Sequence, residues 1–268
     1  MKPPIKLAFG RPPKPHNFNF GDEFSAIIVE CITQRSISRS RFDQADLIAV
    51  GSILGGTVRK NFRAHGRDDR KTLSVWGSGL MVDHALRRLN YLNYLSVRGP
   101  LTRKRTGLEG LPLGDPGLLA QWIKSPAKEK KYSVGIIPHY RDVENQNFLD
   151  IEHRIPNSKL LDIRTQAITF LEDVSRCELI VSSSLHGLIF ADAYNIPSIW
   201  LEDAPIHIGD GFKFYDHFAA VNKFGAEPQH PKSILSLDSA LPLASTGDQE
   251  LIADLQKKLV KTLKEAEI

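Results

Sequence analysis

Between residues 178 and 194 the chain passes from one periodicity to another with almost no spacer. Glu178-Leu179-Ile180-Val181 leads as the apolar run of a buried strand. Three serines follow, and Leu185-His186-Gly187-Leu188-Ile189-Phe190-Ala191 then reads as a helix. A strand that feeds a helix this abruptly is half of a βαβ unit, and such units build parallel sheets. The alternation recurs along the chain, with strands predicted at 5–10, 47–52, 72–76 and 94–98. Helices are expected to start at Asp22 and near Pro100, where proline suits a first turn. The charged segment Ser125-Pro126-Ala127-Lys128-Glu129-Lys130-Lys131 interrupts the pattern and reads as a crossing between lobes. Strands then resume at 132–138, 159–163, 178–182 and 198–201, with helices at 165–176 and 185–194. In the first of these helices Ile168, Leu171 and Val174 are placed on one face.

The expected architecture is therefore α/β, with two Rossmann-like domains over 1–125 and 126–245 facing each other across a cleft. Residues 246–268 form a C-terminal amphipathic helix, with Leu251, Ile252, Leu255, Leu259, Val260 and Leu263 at helical spacing. The main reading packs this helix on a lobe. The alternative lays it on anionic lipid through Lys257, Lys258, Lys261 and Lys264.

A chain of 268 residues with 41% hydrophobic and 25% charged residues has the composition of a globular protein. Its net charge of +4 helps to hold an anion but lacks the dense basic stripe of a nucleic-acid binder. Cys31 and Cys177 belong to no CxxC or Cys/His cluster and read as free thiols. The opening residues carry no secretory apolar run, and the apolar stretch 179–201 is broken by polar residues. A soluble, cytoplasmic protein is expected, with no metal and no cofactor.

Several segments carry chemistry. In Ser182-Ser183-Ser184-Leu185-His186-Gly187, hydroxyls and first-turn N–H groups would gather where an anion could bind, with His186 beside them. The plain alternative is that Ser184 caps the helix and His186 is an interior histidine. Asn17-Phe18-Asn19-Phe20-Gly21-Asp22-Glu23 turns at Gly21, and Asp22 is read both as the helix cap and as a group that binds or activates a hydroxyl. Gly51-Ser52 ends a predicted strand, where open α/β sheets place ligands. Arg98 ends another and needs a partner, either an anionic ligand or a structural carboxylate. His139 and Arg141 follow the strand at 132–138 and point toward the cleft, whereas Asp115, in Gly114-Asp115-Pro116-Gly117, reads as turn chemistry.

Together these segments resemble the polysaccharide pyruvyl transferase family. The matching pieces are Asn19-Phe20-Gly21-Asp22, Asp46-Leu47-Ile48-Ala49-Val50-Gly51-Ser52, Val97-Arg98-Gly99-Pro100, Gly114-Asp115-Pro116, Ile137-Pro138-His139-Tyr140 and the block from Ser182 to Ala191. The resemblance implies a GT-B-like fold and transfer of pyruvate from phosphoenolpyruvate to two hydroxyls of a sugar, giving a cyclic ketal. It places Asp22, Arg98 and His186 at positions for donor binding and catalysis. Gly21, Gly51, Ser52, His139, Arg141, Ser182, Ser183 and Ser184 are the substrate-binding candidates beside them. Family members commonly have an arginine where this chain has Ser184, which puts more weight on Arg98 and Arg141. The implied acceptor is a saccharide, lipid-linked at the inner membrane face, and phosphoenolpyruvate is the donor. A GT-B glycosyltransferase using a nucleotide-sugar and a non-catalytic sugar or anion binder are the rival readings.

Overall fold

A computed structural model describes residues 3–10, 19–56, 58, 72–84, 86, 91–204 and 209–268. Asn17 and Phe18 of the first motif, and the opening Met1-Lys2, lie outside the described residues. The described chain forms two all-parallel sheets. The first holds β1 (Ile5–Ala8), β2 (Ile37–Arg39), β3 (Leu47–Ile48), β4 (Leu73–Trp76) and β5 (Leu92–Ser96) in the order β2-β1-β3-β4-β5. The second holds β6 (Tyr132–Ile137), β7 (Lys159–Leu160), β8 (Cys177–Ser182) and β9 (Ser198–Trp200) in the order β7-β6-β8-β9. This is the mixed α/β, Rossmann-like pattern that the alternation predicts. The strands β3 and β4 are buried along their whole length, as strands covered on both faces must be.

Both orders reverse direction once, between β1 and β3 in the first sheet and between β6 and β8 in the second. Open parallel sheets bind ligands beyond the strand C-termini at such reversals. The residues beyond these four strands are Gly10, Gly51, the 138–142 segment and the 183–186 turn.

The two sheets share one core. It runs from Ile5, Leu7 and Leu47 of the first sheet to Ile137 and Ile180 of the second, through Phe20, Phe24, Phe170 and Phe190. The Phe20 ring stacks on Phe190 at 5.4 Å and meets Phe170 at 5.2 Å, while Phe24 meets Phe190 edge-on at 5.4 Å. The Phe20 N–H also donates to Ile163 C=O at 2.8 Å. Apolar area and a backbone hydrogen bond together fix the Phe20–Thr33 helix against the second sheet's connections.

The C-terminal segment forms the helix Gln249–Glu265, with Asp248 capping it through Leu251 N–H at 3.0 Å. Its buried face is Ile252, Leu255, Leu259 and Leu263, and Trp76 Nε1 donates to Leu259 C=O at 2.9 Å. The helix packs on the protein core, and Leu259 and Leu263 join the cluster that holds Phe20 and Phe24. Among the described residues no helix is long and apolar enough to cross a membrane.

Two local expectations are corrected. Asp22 does not cap its helix, because the helix starts at Phe20 and Asn19 Oδ1 accepts from Gly21 N–H at 3.2 Å. Ile168 is not on a buried face, since it is 60% exposed and the Ala167–Ser175 helix buries Phe170, Leu171 and Val174. At 3.6 residues per turn, Ile168 lies about a third of a turn from Val174, and Phe170 takes the inward position. Phe170→Ala should therefore cost about 3–5 kcal/mol in urea unfolding, whereas Ile168→Ser should stay within about 0.5 kcal/mol of the parent.

Candidate functional site

The site is built where two helix N-termini meet. Asp22 is the third residue of the Phe20–Thr33 helix, and its carboxylate accepts from Asn19 Nδ2 at 3.1 Å. It sits against two glycines at the C-terminal ends of neighbouring strands. A Cβ on Gly51 would lie 3.2 Å from Asp22 Oδ1, and one on Gly10 would lie 3.4 Å from the carboxyl group. Gly51 also adopts φ +110°, a conformation that disfavours side chains. Burial raises the Asp22 pKa to about 6, with Glu23 and Asp115 adding to the rise and Asn19 and Lys213 opposing it. A carboxyl group so placed changes its proton near neutrality.

His186 is the second residue of the Leu185–Ala193 helix, which is buried along its whole length. Its ring lies on Gly21: a Cβ there would come within 2.0 Å of His186 Nδ1. Burial pushes the imidazole pKa down to about 3, helped by the charges of Lys213, Arg98 and His217. The ring is thus neutral near pH 7. Its Nε2 is buried and has no hydrogen-bond partner among the described residues. A buried polar atom of this kind costs stability unless something joins it.

The serines ahead of His186 brace the turn. Ser182 Oγ accepts from Ser184 N–H at 3.0 Å and reaches Ile137 C=O at 2.7 Å. Ser183 Oγ donates to Asp142 Oδ2 at 2.6 Å and accepts from His139 N–H at 2.9 Å. Both hydroxyls are committed to the end of β6 and the loop after it. Ser184 occupies the N-cap position but makes no side-chain capping hydrogen bond, so the capping alternative is not what the structure shows.

Arg98 is fully buried, and its fork is committed within the protein. Its Nε donates to Asp216 Oδ2 at 3.1 Å, one terminal nitrogen to Ser52 Oγ at 2.5 Å and the other to Leu80 C=O at 2.6 Å. Asp216 in turn accepts from Thr102 N–H at 2.8 Å and Thr102 Oγ1 at 2.7 Å. Gly79 and Gly99 make room, since a Cβ on either would fall within 2.4 Å of Arg98 or Asp216 atoms. The structural carboxylate, one of the two partners expected for Arg98, is the one present. Asp115 likewise takes a structural place, accepting from Gly117 N–H at 2.9 Å at the start of the Pro116–Trp122 3₁₀ helix.

His139 and Arg141 are on the loop after β6. The His139 ring packs on Tyr140 at 4.2 Å, and the exposed Arg141 guanidinium lies 5.7 Å from the Tyr140 ring centre. Arg141's charge is felt by Lys213, so the loop belongs to the same electrostatic neighbourhood.

Lys213 itself escapes sequence reasoning. It sits in the first turn of the Phe212–Ala220 helix and is only 6% exposed. Burial and the Arg98 charge lower its pKa to about 7, with Arg141 adding to the fall and Asp22 opposing it. The signal available in the sequence is a lysine between Phe212 and Phe214, straight after Gly209-Asp210-Gly211. Asp216, which holds Arg98 in place, is equally unmarked. Among the described residues no cluster of three or more His, Cys, Asp or Glu is placed to hold a metal ion.

Gly21, next to Asp22, and His186 thus meet from motifs that lie far apart in the chain. Residues 4–204 match the polysaccharide pyruvyl transferase family. The chain belongs to that family. It is 34% identical over 241 residues to the uncharacterized protein L143 of Acanthamoeba polyphaga mimivirus, an overlap of 82% of this chain and 75% of that protein. It is also 30% identical over 202 residues to the succinoglycan biosynthesis protein ExoV of Rhizobium meliloti (strain 1021). That overlap takes in 74% of this chain and 60% of the relative. The family match ends before Lys213 and Asp216, so the partner of Arg98 lies beyond the matched segment.

Removing one member of a buried ion pair leaves the other charge without compensation. Asp216→Ala should cost about 3–5 kcal/mol, and Arg98→Met combined with Asp216→Leu should recover most of that loss. Urea denaturation of Arg98→Met, Asp216→Leu and their double variant, beside Asp216→Ala, measures this coupling directly.

Proposed function

We propose that this chain transfers pyruvate from phosphoenolpyruvate to two hydroxyls of a saccharide during polysaccharide assembly, forming a cyclic ketal. The observation that carries the reading is the contact of the His186 ring with Gly21, the residue before Asp22, at the N-termini of two helices, in a member of this family. In this reading the two parallel sheets are the facing halves of a GT-B-like enzyme, and the acceptor is a lipid-linked precursor at the cytoplasmic membrane face.

The donor is anionic at both ends, with a carboxylate and a phosphate. Arg141 and the first-turn N–H groups of the Leu185–Ala193 helix meet those charges. The reaction begins when a proton reaches the donor's methylene carbon and positive charge develops at C2. One sugar hydroxyl adds there and loses its proton. The C2–O bond to phosphate then breaks, and a second hydroxyl closes the ketal while its proton leaves with phosphate. The two hydroxyl protons thus end up on the new methyl group and on phosphate.

Asp22 accepts the proton of the attacking hydroxyl, for which a pKa of about 6 is suited. His186 supplies the proton to the donor. A pKa of about 3 does not prevent this. An anionic group about 4 Å away contributes roughly 4 kcal/mol at an effective dielectric constant near 20, which lifts a pKa by about three units. Donor binding therefore brings His186 into the range where it can take up and deliver a proton near neutrality. Arg98 acts as a positioning residue that holds Asp216 and with it the helix carrying Lys213.

The sign of the pH dependence follows from Asp22. Below pH 6 its carboxyl is protonated and cannot accept a proton, so kcat/KM should fall about tenfold per pH unit on the acid side. Asp22→Asn should lower phosphate release from phosphoenolpyruvate, with acceptor present, by about 100-fold or more and remove this acid limb. His186→Gln should lower it to a similar extent. If both variants keep near-normal phosphate release, the assignment of roles is wrong. Thermal stabilisation by a nucleotide-sugar but not by phosphoenolpyruvate would instead identify a glycosyltransferase.

A further inference from the structure

We propose that Asp203, which follows β9, is a positioning residue that holds the 139–145 loop, and with it Arg141, beside the turn carrying His186. The inference deepens the pyruvyl-transfer reading and rests on it for the identity of the anion that Arg141 meets.

The loop is tied at both ends by carboxylates. The inner tie is Asp142, whose Oδ2 accepts from Ser183 Oγ at 2.6 Å, three residues before His186. The same hydroxyl accepts from His139 N–H at 2.9 Å, so one serine joins His139 and Asp142 to the 182–186 turn. Two tight turns then carry the chain outward. They are closed by Asp142 N–H to His139 C=O at 2.7 Å and by Asn145 N–H to Asp142 C=O at 2.9 Å. Arg141, exposed and next to Asp142, is placed by these turns.

The outer tie is Asp203, which collects three donors. Its Oδ2 accepts from Asn145 Nδ2 at 2.7 Å, and its Oδ1 accepts from Asn147 Nδ2 and His230 Nε2, both at 2.8 Å. Each donor is itself fixed. Asn145 caps the Gln146–Arg154 helix by accepting from Asn147 N–H at 2.9 Å, and Asn147 is in the first turn of that helix. His230 is delivered by the backbone, because Gln229 pairs with the end of β9. Its N–H donates to Trp200 C=O at 2.8 Å and its C=O accepts from Glu202 N–H at 2.9 Å. His230 Nδ1 accepts from Lys232 N–H at 3.1 Å, which leaves the ring proton on Nε2, facing Asp203.

The Gln146–Arg154 helix has no acidic residue in its own first turn, and Asp203 brings a negative charge to that N-terminus from another strand. Hydrogen bonding from Asn145 holds the Asp203 carboxyl below its ordinary pKa, with Asn147, His230 and Lys232 adding to the fall and burial opposing it. The carboxylate is therefore ionised near neutrality, and its bonds are charge-assisted. Their place in the fold gives them a use. The loop leaves β6 at the reversal between β6 and β8, where open sheets bind ligands. A loop left to move there would have to be ordered by the donor, and that ordering would reduce affinity. Asp203 orders it beforehand.

Isothermal titration calorimetry with phosphoenolpyruvate at pH 7.5 tests this in a cycle of wild type, Asp203→Ala, Arg141→Ala and the double variant. Asp203→Ala should bind about tenfold more weakly, and Arg141→Ala at least as weakly. The double variant should stay within about twofold of Arg141→Ala, because Asp203 acts through Arg141. Amide hydrogen exchange at Asn145 should be at least about tenfold faster in Asp203→Ala and unchanged in Arg141→Ala. An Asp203→Ala affinity within about twofold of wild type overturns the proposal. So do losses that multiply in the double variant, as a purely structural role for Asp203 would give.

Should Asp203→Ala fail to fold, Asn147→Ala removes one of the three bonds and takes its place in the same cycle, with a loss of about threefold expected. Inorganic phosphate is the second probe. If the wild type binds phosphate with the same non-multiplying losses, but does not bind phosphoenolpyruvate, Asp203 stands and the pyruvyl-transfer reading falls. If the wild type binds neither, both fall.

Discussion

The imidazole of His186 lies where a side chain at residue 21 would have to be, and most of the molecule is arranged to allow that contact. Two helices arrive N-terminus first, one following β1 and the other following β8. Each brings the partial positive charge of its first turn to the same place. Such an approach is unfavourable without apolar packing behind it. Phe20, Phe24, Phe170 and Phe190 provide that packing, joining the two helices to the core shared by both sheets. Ser182 and Ser183 then lock the turn before His186 to the end of β6 and to the Asp142 loop. The glycine is therefore a structural condition for the site, and the phenylalanines are what make the condition bearable.

Electrostatics in this region follows from the same crowding. Asp22, His186 and Lys213 are each displaced from their ordinary pKa toward the neutral form, and burial is the leading cause for all three. Arg98 is the contrast, since it has a buried carboxylate of its own and its hydrogen bonds are directed to protein groups. An anion entering beside His186 and Lys213 would reverse the balance, because both groups could then hold protons at lower cost. Preorganised donors in a water-poor site are worth more to a developing charge than the same groups in water.

Much of this was legible in the sequence, and the reasons for the rest are local. The apolar runs of β1, β3, β4, β6 and β8 announce themselves, because central strands cannot hide their composition. The edge strand β2, with Ile-Ser-Arg, has no such run, and its side chains are half-buried or exposed. Asp22 was visible as a site residue but was misplaced as a cap, since Asn19 and Asp22 both have capping chemistry and only the backbone decides between them. Arg98 was visible as a cation in need of a partner. That partner, Asp216, is 118 residues away on a helix with no family signature, and nothing in the local pattern names it. Lys213 is hidden for the same reason, because its meaning depends on groups from four distant segments.

The central claim is that the atoms joined at this site are C2 of the donor and the hydroxyl oxygens of a sugar. Phosphoenolpyruvate labelled with oxygen-18 in the C–O–P bridge tests this most directly, when incubated with the chain and a panel of lipid-linked or synthetic glycosides. The account predicts that the bridging label leaves entirely with phosphate and that the glycoside gains an unlabelled pyruvate ketal. Unlabelled phosphate accompanied by free labelled pyruvate would mean attack at phosphorus, and would contradict it.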